Sequence, residues 1–225
     1  MCQICVKGDA IMLISVLAVG DVPYGADAEA VLTDYFERHK QQYVFVKDLQ
    51  SWNTKKAHPS WMKLVMHRMY PRHDFILNWD LDLLPVSPAS SCVWEHIDFT
   101  MMNMAVDTSL LSGCSGWNKF FRYNGGLMGI PVASAHWCEA LYDATAPGNR
   151  PSYEQYYLND AIAAYHIEVA TIPQEFNTLY PRNLAWNAWW QKAVYKHYTF
   201  GPMPDAENRR ARAIKEHRQL YFTDK

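Results

Sequence analysis

A chain of 225 residues, 49% hydrophobic and 20% charged, is long enough to bury a sizeable core and too apolar to stay disordered. Its formal net charge of -2, with no long basic run, gives no electrostatic case for a nucleic-acid partner. Five scattered cysteines, an odd number, argue against a disulfide framework and for a reducing, cytoplasmic setting.

Residues 1–10 read as an extension without an evident role, and 11–225 as a single domain. Cys2 and Cys5 are spaced like a metal or redox pair, but no second pair completes a zinc site. Lys7 followed by apolar Ala10 to Val19 has the order of a signal peptide, yet the run is too short to span a bilayer. Met12 to Val19 reads instead as a strand buried on both faces. Gly20 to Gly25 breaks it. Asp27 is placed to cap a helix from Ala28 to about Gln41, with Val31, Leu32, Tyr35 and Phe36 as its apolar stripe. Tyr43 to Val46 forms a second strand that leads to Asp48. Ser60 is placed to cap a helix with Trp61, Leu64, Val65, Arg68 and Met69 on one face, and Pro71 stops it. Phe75 to Leu77 starts a third buried strand.

Strand, helix, strand, helix, strand up to Asp80 is the pattern of a parallel sheet flanked by helices. Ligands of such sheets sit beyond the C-terminal strand ends, where Gly20, Asp48 and Asp80 all fall. Asp48 could there take the base or ribose donors of a nucleotide, or simply cap its loop. Further on, Phe99 to Val106 and Tyr123 to Ile130 read as strands, with a helix after Pro131. Ser152 and Gln155 form a capping box that opens a helix to about Tyr165. Ile167 to Ile172 is a short strand and Arg209 to Tyr221 a charged helix.

Asp80 and Asp82 stand at the end of the third strand, with Pro85 turning the chain away. Side chains at i and i+2 share a face in a strand, so both carboxylates can approach one point. Such hard oxygen ligands suit Mg²⁺ or Mn²⁺, which take one or two carboxylates plus substrate phosphates. The paired glycines of Asn124-Gly125-Gly126 permit close approach of a ligand and leave Asn124 to bond sugar hydroxyls; Asn-Gly also fits a hairpin turn. Helical spacing puts Tyr157, Leu158, Ala161, Ile162 and Tyr165 on one face, with Glu154 near its centre and Asp160 off it. A carboxylate aimed along an apolar face is costly unless it has a role, although Glu154 also suits a helix N-terminus. Trp186, Trp189 and Trp190 cluster near His197 and could stack on a sugar or belong to the core.

These segments, in this order from about Ile11 to Gly201, resemble the metal-dependent GT-A glycosyltransferases. Asp80-Leu81-Asp82 resembles their Asp-x-Asp motif, Asn124-Gly125-Gly126 their Asn-Gly-Gly strand, and Glu154 to Asn159 an Asp-Gln-x-x-Leu-Asn segment with Glu in place of Asp. His197 to Gly201 is similar to a late His segment whose His supplies a third metal ligand, and Lys63 stands where such enzymes place a cation for the diphosphate or donor sugar. The resemblance implies a Rossmann-like GT-A fold of the α/β class, with a mixed, mainly parallel sheet flanked by helices. It implies transfer of a hexose or related sugar from a nucleotide sugar, a UDP-sugar by family likeness, to a glycan or other hydroxyl acceptor. Mn²⁺ or Mg²⁺ would be held by Asp80, Asp82 and His197. The donor would be bound by Gly20, Asp48, Lys63, Asp80, Asn124, Gly125 and Gly126. Glu154, with Asp160 second, would supply the catalytic carboxylate. The small size without an anchor is similar to stand-alone domains of bacteria and large algal DNA viruses, which puts a viral chain in host cytoplasm. Two other readings stay open: a silent sugar- or nucleotide-binding module, and a haloacid-dehalogenase-type phosphatase. The latter usually carries its Asp-x-Asp on the first strand.

Overall fold

The structure, a computed structural model, describes residues 10–49, 52–53, 58–106, 123–145, 154–180, 187–199 and 205–223, with residues 145 and 187–189 as backbone only. Cys2, Cys5, Lys7, Ser152, Trp186 and Gly201, and the side chain of Trp189, lie outside that description.

The apolar runs form the sheet. Strands β1 (Met12–Leu17), β2 (Tyr43–Val46) and β3 (Phe75–Asp80) run parallel, with Leu17 opposite both Val46 and Asp80. Their C-terminal ends are therefore level, and Gly20 and Asp80 leave the sheet at the same edge. Adding β5 (Met102–Val106), β6 (Tyr123–Pro131) and β7 (Val169–Ile172) gives the order β2-β1-β3-β6-β5-β7. Only β6 is antiparallel to its neighbours. That reversal brings the start of β6, with Asn124 and Gly125, to the edge where β3 ends, because Trp79 pairs with Leu127.

Successive side chains of the central strands enter opposite cores. Ile14, Val16, Phe75, Leu77 and Trp79 pack beneath α1 (Gly25–Arg38) and α6 (Ala206–Thr223). Leu13, Ile76, Met128 and Ile130 face the layer of α2 (Met66–Met69), α3 (His136–Thr145) and α4 (Glu154–Ala164). Each fully buried Leu, Ile or Phe contributes about 1.5–3 kcal/mol. The buried polar pair in this second layer has a positioning role: Ser15 donates to Asn78 Oδ1 at 2.9 Å, and Asn78 Nδ2 donates to Lys63 O at 3.2 Å.

Several local expectations are corrected. Helix α1 starts at Gly25, so Asp27 lies inside its first turn and pairs with Arg218 at 2.7 Å instead of capping. The segment after Ser60 is mostly a 3-10 helix (Pro59–Val65), and His58 accepts from Ser60 N as its cap. Trp61, Met62, Lys63, Leu64 and Val65 are all buried there, so the segment lies under the sheet and has no solvent face. β5 begins at Met102, not Phe99, and β7 at Val169, not Ile167. Tyr165 is 77% exposed and does not join the α4 core face.

A second sheet was not foreseen. β4 (Leu83–Pro85), β8 (Thr178–Leu179) and β9 (Tyr195–His197) pair in the order β4-β9-β8, beside α5 (Asn187–Lys192). Leu83 lies opposite His197, which carries that histidine to the end of β3.

Candidate active site

Asp80 closes β3, and the chain then turns through Leu81 and Asp82 into β4. Trp79 Nε1 donates to Leu83 O at 2.7 Å across this turn, and Tyr198 N donates to Asp82 O at 2.9 Å. The carboxylates thus converge through a clamped turn and not along one strand face. His197 Nε2 stands 3.2 Å from Asp82 Oδ1 and 3.6 Å from Asp80 Oδ2. Burial opposes ionisation of Asp82, but His197 and then Arg210 outweigh it and hold its pKa down at about 2.

The imidazole is oriented by an amide chain. Gly126 N donates to Asn124 Oδ1 at 2.8 Å, and Asn177 Nδ2 donates to the same oxygen at 2.9 Å. Asn177 must then present Oδ1 to His197 Nδ1, which donates to it at 2.8 Å. A ring whose Nδ1 is held this way turns its Nε2 edge toward the carboxylates, the orientation a metal-binding histidine needs. Nε2 is buried and has no hydrogen-bond partner. Asp80, Asp82 and His197 can each offer one ligand atom within 4.8 Å of the others. Two hard oxygens and one imidazole nitrogen, with a buried lone pair otherwise unsatisfied, fit a divalent cation.

Lys63 is only 3% exposed, and Asn78 fixes its backbone. Its ammonium pairs with Asp80 Oδ1, donates to Gly125 O at 2.8 Å and lies 3.6 Å from Glu154 Oε1. Burial disfavours its charge, yet Asp80 and Glu154 raise its pKa. Glu154 is 2% exposed, and its Oε2 has no hydrogen-bond partner. A Cβ on Gly125 would stand 2.8 Å from Glu154 Oε1, so this glycine is what lets the carboxylate lie against β6. Asn159 bonds Tyr123 N and Tyr123 O at 2.9 Å each, and Gln155 accepts from Gly125 N at 3.0 Å, so α4 is registered on the strand.

A cleft of about 450 Å³ opens beside this cluster, lined by Gly20, Asp21, Gly25, Glu29, Lys47 and Leu81 among others. Gly20 adopts φ +89°, and Lys47 pairs with Glu29 at 2.8 Å. Leu81, between the two aspartates, joins the cleft to the cluster.

No protein-family model matches the chain, and no curated protein matches it. Solved structures do. A glycosyltransferase involved in the glycosylation of the major capsid of PBCV-1 superposes with a TM-score of 0.61 at 13% identity, over 92% of this chain and 99% of that one. The galactosyltransferase LgtC, solved with donor and acceptor sugar analogs, gives 0.53 at 14% identity, over 92% and 96%. The glycosyltransferase GlyE of Streptococcus pneumoniae TIGR4 gives 0.51 at 11% identity, over 96% of this chain and 64% of that one. This chain has the GT-A fold.

On this GT-A sheet the expected site residues are distributed unevenly. Lys63, Asp80, Asp82, Gly125, Gly126, Glu154 and His197 are brought together, and Gly20 lines the adjoining cleft. Asn124 belongs to the cluster and has an internal role as well, since its Oδ1 accepts two hydrogen bonds. Asp48 is exposed past the end of β2, where Lys47 and not Asp48 lines the cleft. Asp160 is exposed. Trp190 packs against Tyr180 and Tyr198, with Lys196 Nζ 4.9 Å above its ring.

Sequence reasoning missed Asn177, Arg210 and Tyr24. Arg210 Nε lies 3.4 Å from Asp82 Oδ2, a charge contact without hydrogen-bond geometry, and its NH1 donates to Tyr24 OH at 3.2 Å. Burial and then Asp82 push the Tyr24 phenol up to about 12. Nothing in the sequence separates Arg210 from its neighbours Arg209 and Arg212, and Asn177 sits in a short 3-10 turn without a motif. Among the described residues, no helix is long and apolar enough to cross a membrane.

Proposed function

We propose that the protein transfers a sugar from a nucleotide sugar, a UDP-sugar, to a hydroxyl of a glycan or other acceptor. The observation that carries this reading is the meeting of the Asp80, Asp82 and His197 trio with a buried carboxylate, Glu154, whose Oε2 lacks a hydrogen-bond partner. The nucleotide lies in the cleft by Gly20 and Leu81, and its diphosphate reaches the trio. Mn²⁺ or Mg²⁺ held by Asp80, Asp82 and His197 supplies Lewis-acid neutralisation of the leaving diphosphate.

The chain's own groups do the rest. Lys63 pairs with Asp80 and stands 3.6 Å from Glu154, so one cation positions both carboxylates. If the reaction inverts configuration, Glu154 takes the proton of the attacking hydroxyl. If it retains configuration, the same carboxylate stabilises the positive sugar or attacks it. The bare backbone of Gly125 and Gly126 supports this reading, because it lets Glu154 and His197 close over one strand. The reaction takes place in the cytoplasm, where free cysteines such as Cys92 and Cys138 persist.

The test is a panel of nucleotide sugars screened for thermal stabilisation with and without Mn²⁺, on wild type and Asp82→Ala. A ligand at 100 times its Kd stabilises the native state by about 2.7 kcal/mol. Stabilisation by a UDP-sugar that needs Mn²⁺ and vanishes in Asp82→Ala is expected, with release of UDP on incubation. Binding without turnover would turn the reading into a binding module, and phosphate release without UDP into a phosphatase. Metal-independent binding unchanged in Asp82→Ala would sink the metal assignment.

A further inference from the structure

Each metal-facing aspartate has one oxygen engaged by a cation and the other turned to His197. Asp80 gives Oδ1 to Lys63 and keeps Oδ2 3.6 Å from His197 Nε2. Asp82 meets Arg210 through Oδ2 and keeps Oδ1 3.2 Å from the same nitrogen. The cations are anchored on their other sides. Lys63 donates to Gly125 O at 2.8 Å. The Arg210 side chain, 18% exposed, lies 5.4 Å over the Tyr24 ring, bonds the Tyr24 hydroxyl and stands 3.4 Å from Glu207.

We propose that Lys63 and Arg210 set the cation selectivity of this site by restricting each aspartate to ligation through a single oxygen. The inference rests on the reading of Asp80, Asp82 and His197 as the metal ligands. Ca²⁺ gathers about six to eight oxygens and readily takes both from one carboxylate, whereas Mg²⁺ is content with one or two carboxylates plus phosphates and water. With Asp80 Oδ1 and Asp82 Oδ2 facing cations, the chain offers two oxygens and one nitrogen, a set that suits Mg²⁺ or Mn²⁺ better than the oxygen-rich, often bidentate shell of Ca²⁺. The imidazole tilts the choice from Mg²⁺ to a softer ion of similar size, such as Mn²⁺. Freeing one carboxylate oxygen should therefore relax selectivity toward Ca²⁺.

The experiment is direct binding of Mn²⁺ to the whole protein without donor, read by the electron paramagnetic resonance of the free ion, with Ca²⁺ as competitor. Wild type should release Mn²⁺ only at large Ca²⁺ excess. Arg210→Met frees Asp82 Oδ2 and should raise the Ca²⁺-to-Mn²⁺ affinity ratio by about tenfold, an effect of the order by which groups behind metal ligands change affinity. Arg210→Lys, which keeps a cation against Asp82, should stay near the wild-type ratio. An unchanged ratio in Arg210→Met overturns the inference, as does an equal gain for both ions, which would make Arg210 a repulsive charge only. Wild-type protein that binds Ca²⁺ as tightly as Mn²⁺ overturns it without any variant. No Mn²⁺ binding to wild type, even with UDP present, removes the metal site and the inference together.

Discussion

The ring of His197 occupies the space directly over Gly126, where a Cβ would stand 2.7 Å from Nδ1 and 2.9 Å from Asn124 Oδ1. Neither neighbour is a loose side-chain end, because Asn177 ties both in place. Gly126→Ala is therefore expected to displace the imidazole and lower Mn²⁺ affinity, and to lose about 1–3 kcal/mol of stability through overpacking. Mn²⁺ titration and urea unfolding of one preparation check both, and an unaffected titration would separate His197 from the metal.

Asn177 should matter although it touches no carboxylate of the trio. Asn177→Ala leaves Nδ1 of His197 without its acceptor, so the ring can turn or change tautomer. Loss of such a supporting bond lowers metal affinity by about 10–100-fold. The histidine's nitrogen chemical shifts, measured without metal, report the tautomer independently. Unchanged shifts and affinity would refute the relay.

Glu154→Gln keeps size and removes charge. Donor-dependent thermal stabilisation should survive while turnover falls by about 10²–10⁴-fold, the usual contribution of a general base. A helix-capping role predicts the reverse, with lower melting temperature and nearly normal turnover. Near-wild-type transfer would make Asp160 the next residue to change.

His217 provides a pH test on a group that is not itself one of the trio. It is 6% exposed, its Nε2 donates to Pro85 O at 2.8 Å, and Tyr198 OH donates to Nδ1 at 2.8 Å. A second proton on the ring would reverse the Tyr198 bond, so that the phenol must accept. Burial lowers its pKa from 6.5 to about 4, with the Pro85 bond opposing in part. Between those values the unfolded chain carries the proton and the folded chain does not, so stability falls as pH drops from 6.5 toward 4. The loss should reach the order of 3 kcal/mol. Urea unfolding at pH 7.5 and 4.5 should show this slope in wild type and a shallower one in His217→Gln. Equal slopes would mean that the histidine is not held neutral.

The sequence made the sheet edge legible because β1 and β3 are apolar runs broken only by Ser15 and Asn78, and Asp80 marks where the second of them ends. Lys63 was harder to read. An α-helical wheel gives it a solvent face, whereas the 3-10 winding and the position under the sheet bury five residues in a row. Strands β4, β8 and β9 are two or three residues long, below the length at which alternation is visible. Yet β9 is what delivers His197. Asn177 and Arg210 act through long-range placement, which no local pattern records. The motif reading of Asn124 found the right place but not the second role of its Oδ1, which accepts from Gly126 N and Asn177 Nδ2.

Lys63, Asp80, Asn124, Glu154, Asn177, His197 and Arg210 come from nearly the whole length of the chain, and β9 and α6 are the last elements along it. Domains emerge from the ribosome N-terminal end first. A nascent chain paused before residue 195 can pair β1, β2 and β3, but Asp80 and Asp82 then face no imidazole and no guanidinium. Until β9 slots between β4 and β8 and α6 docks on α1, the two carboxylates lack the His197 and Arg210 that adjoin them in the folded chain. Those two contacts therefore form only after residues 195 to 210 have been made.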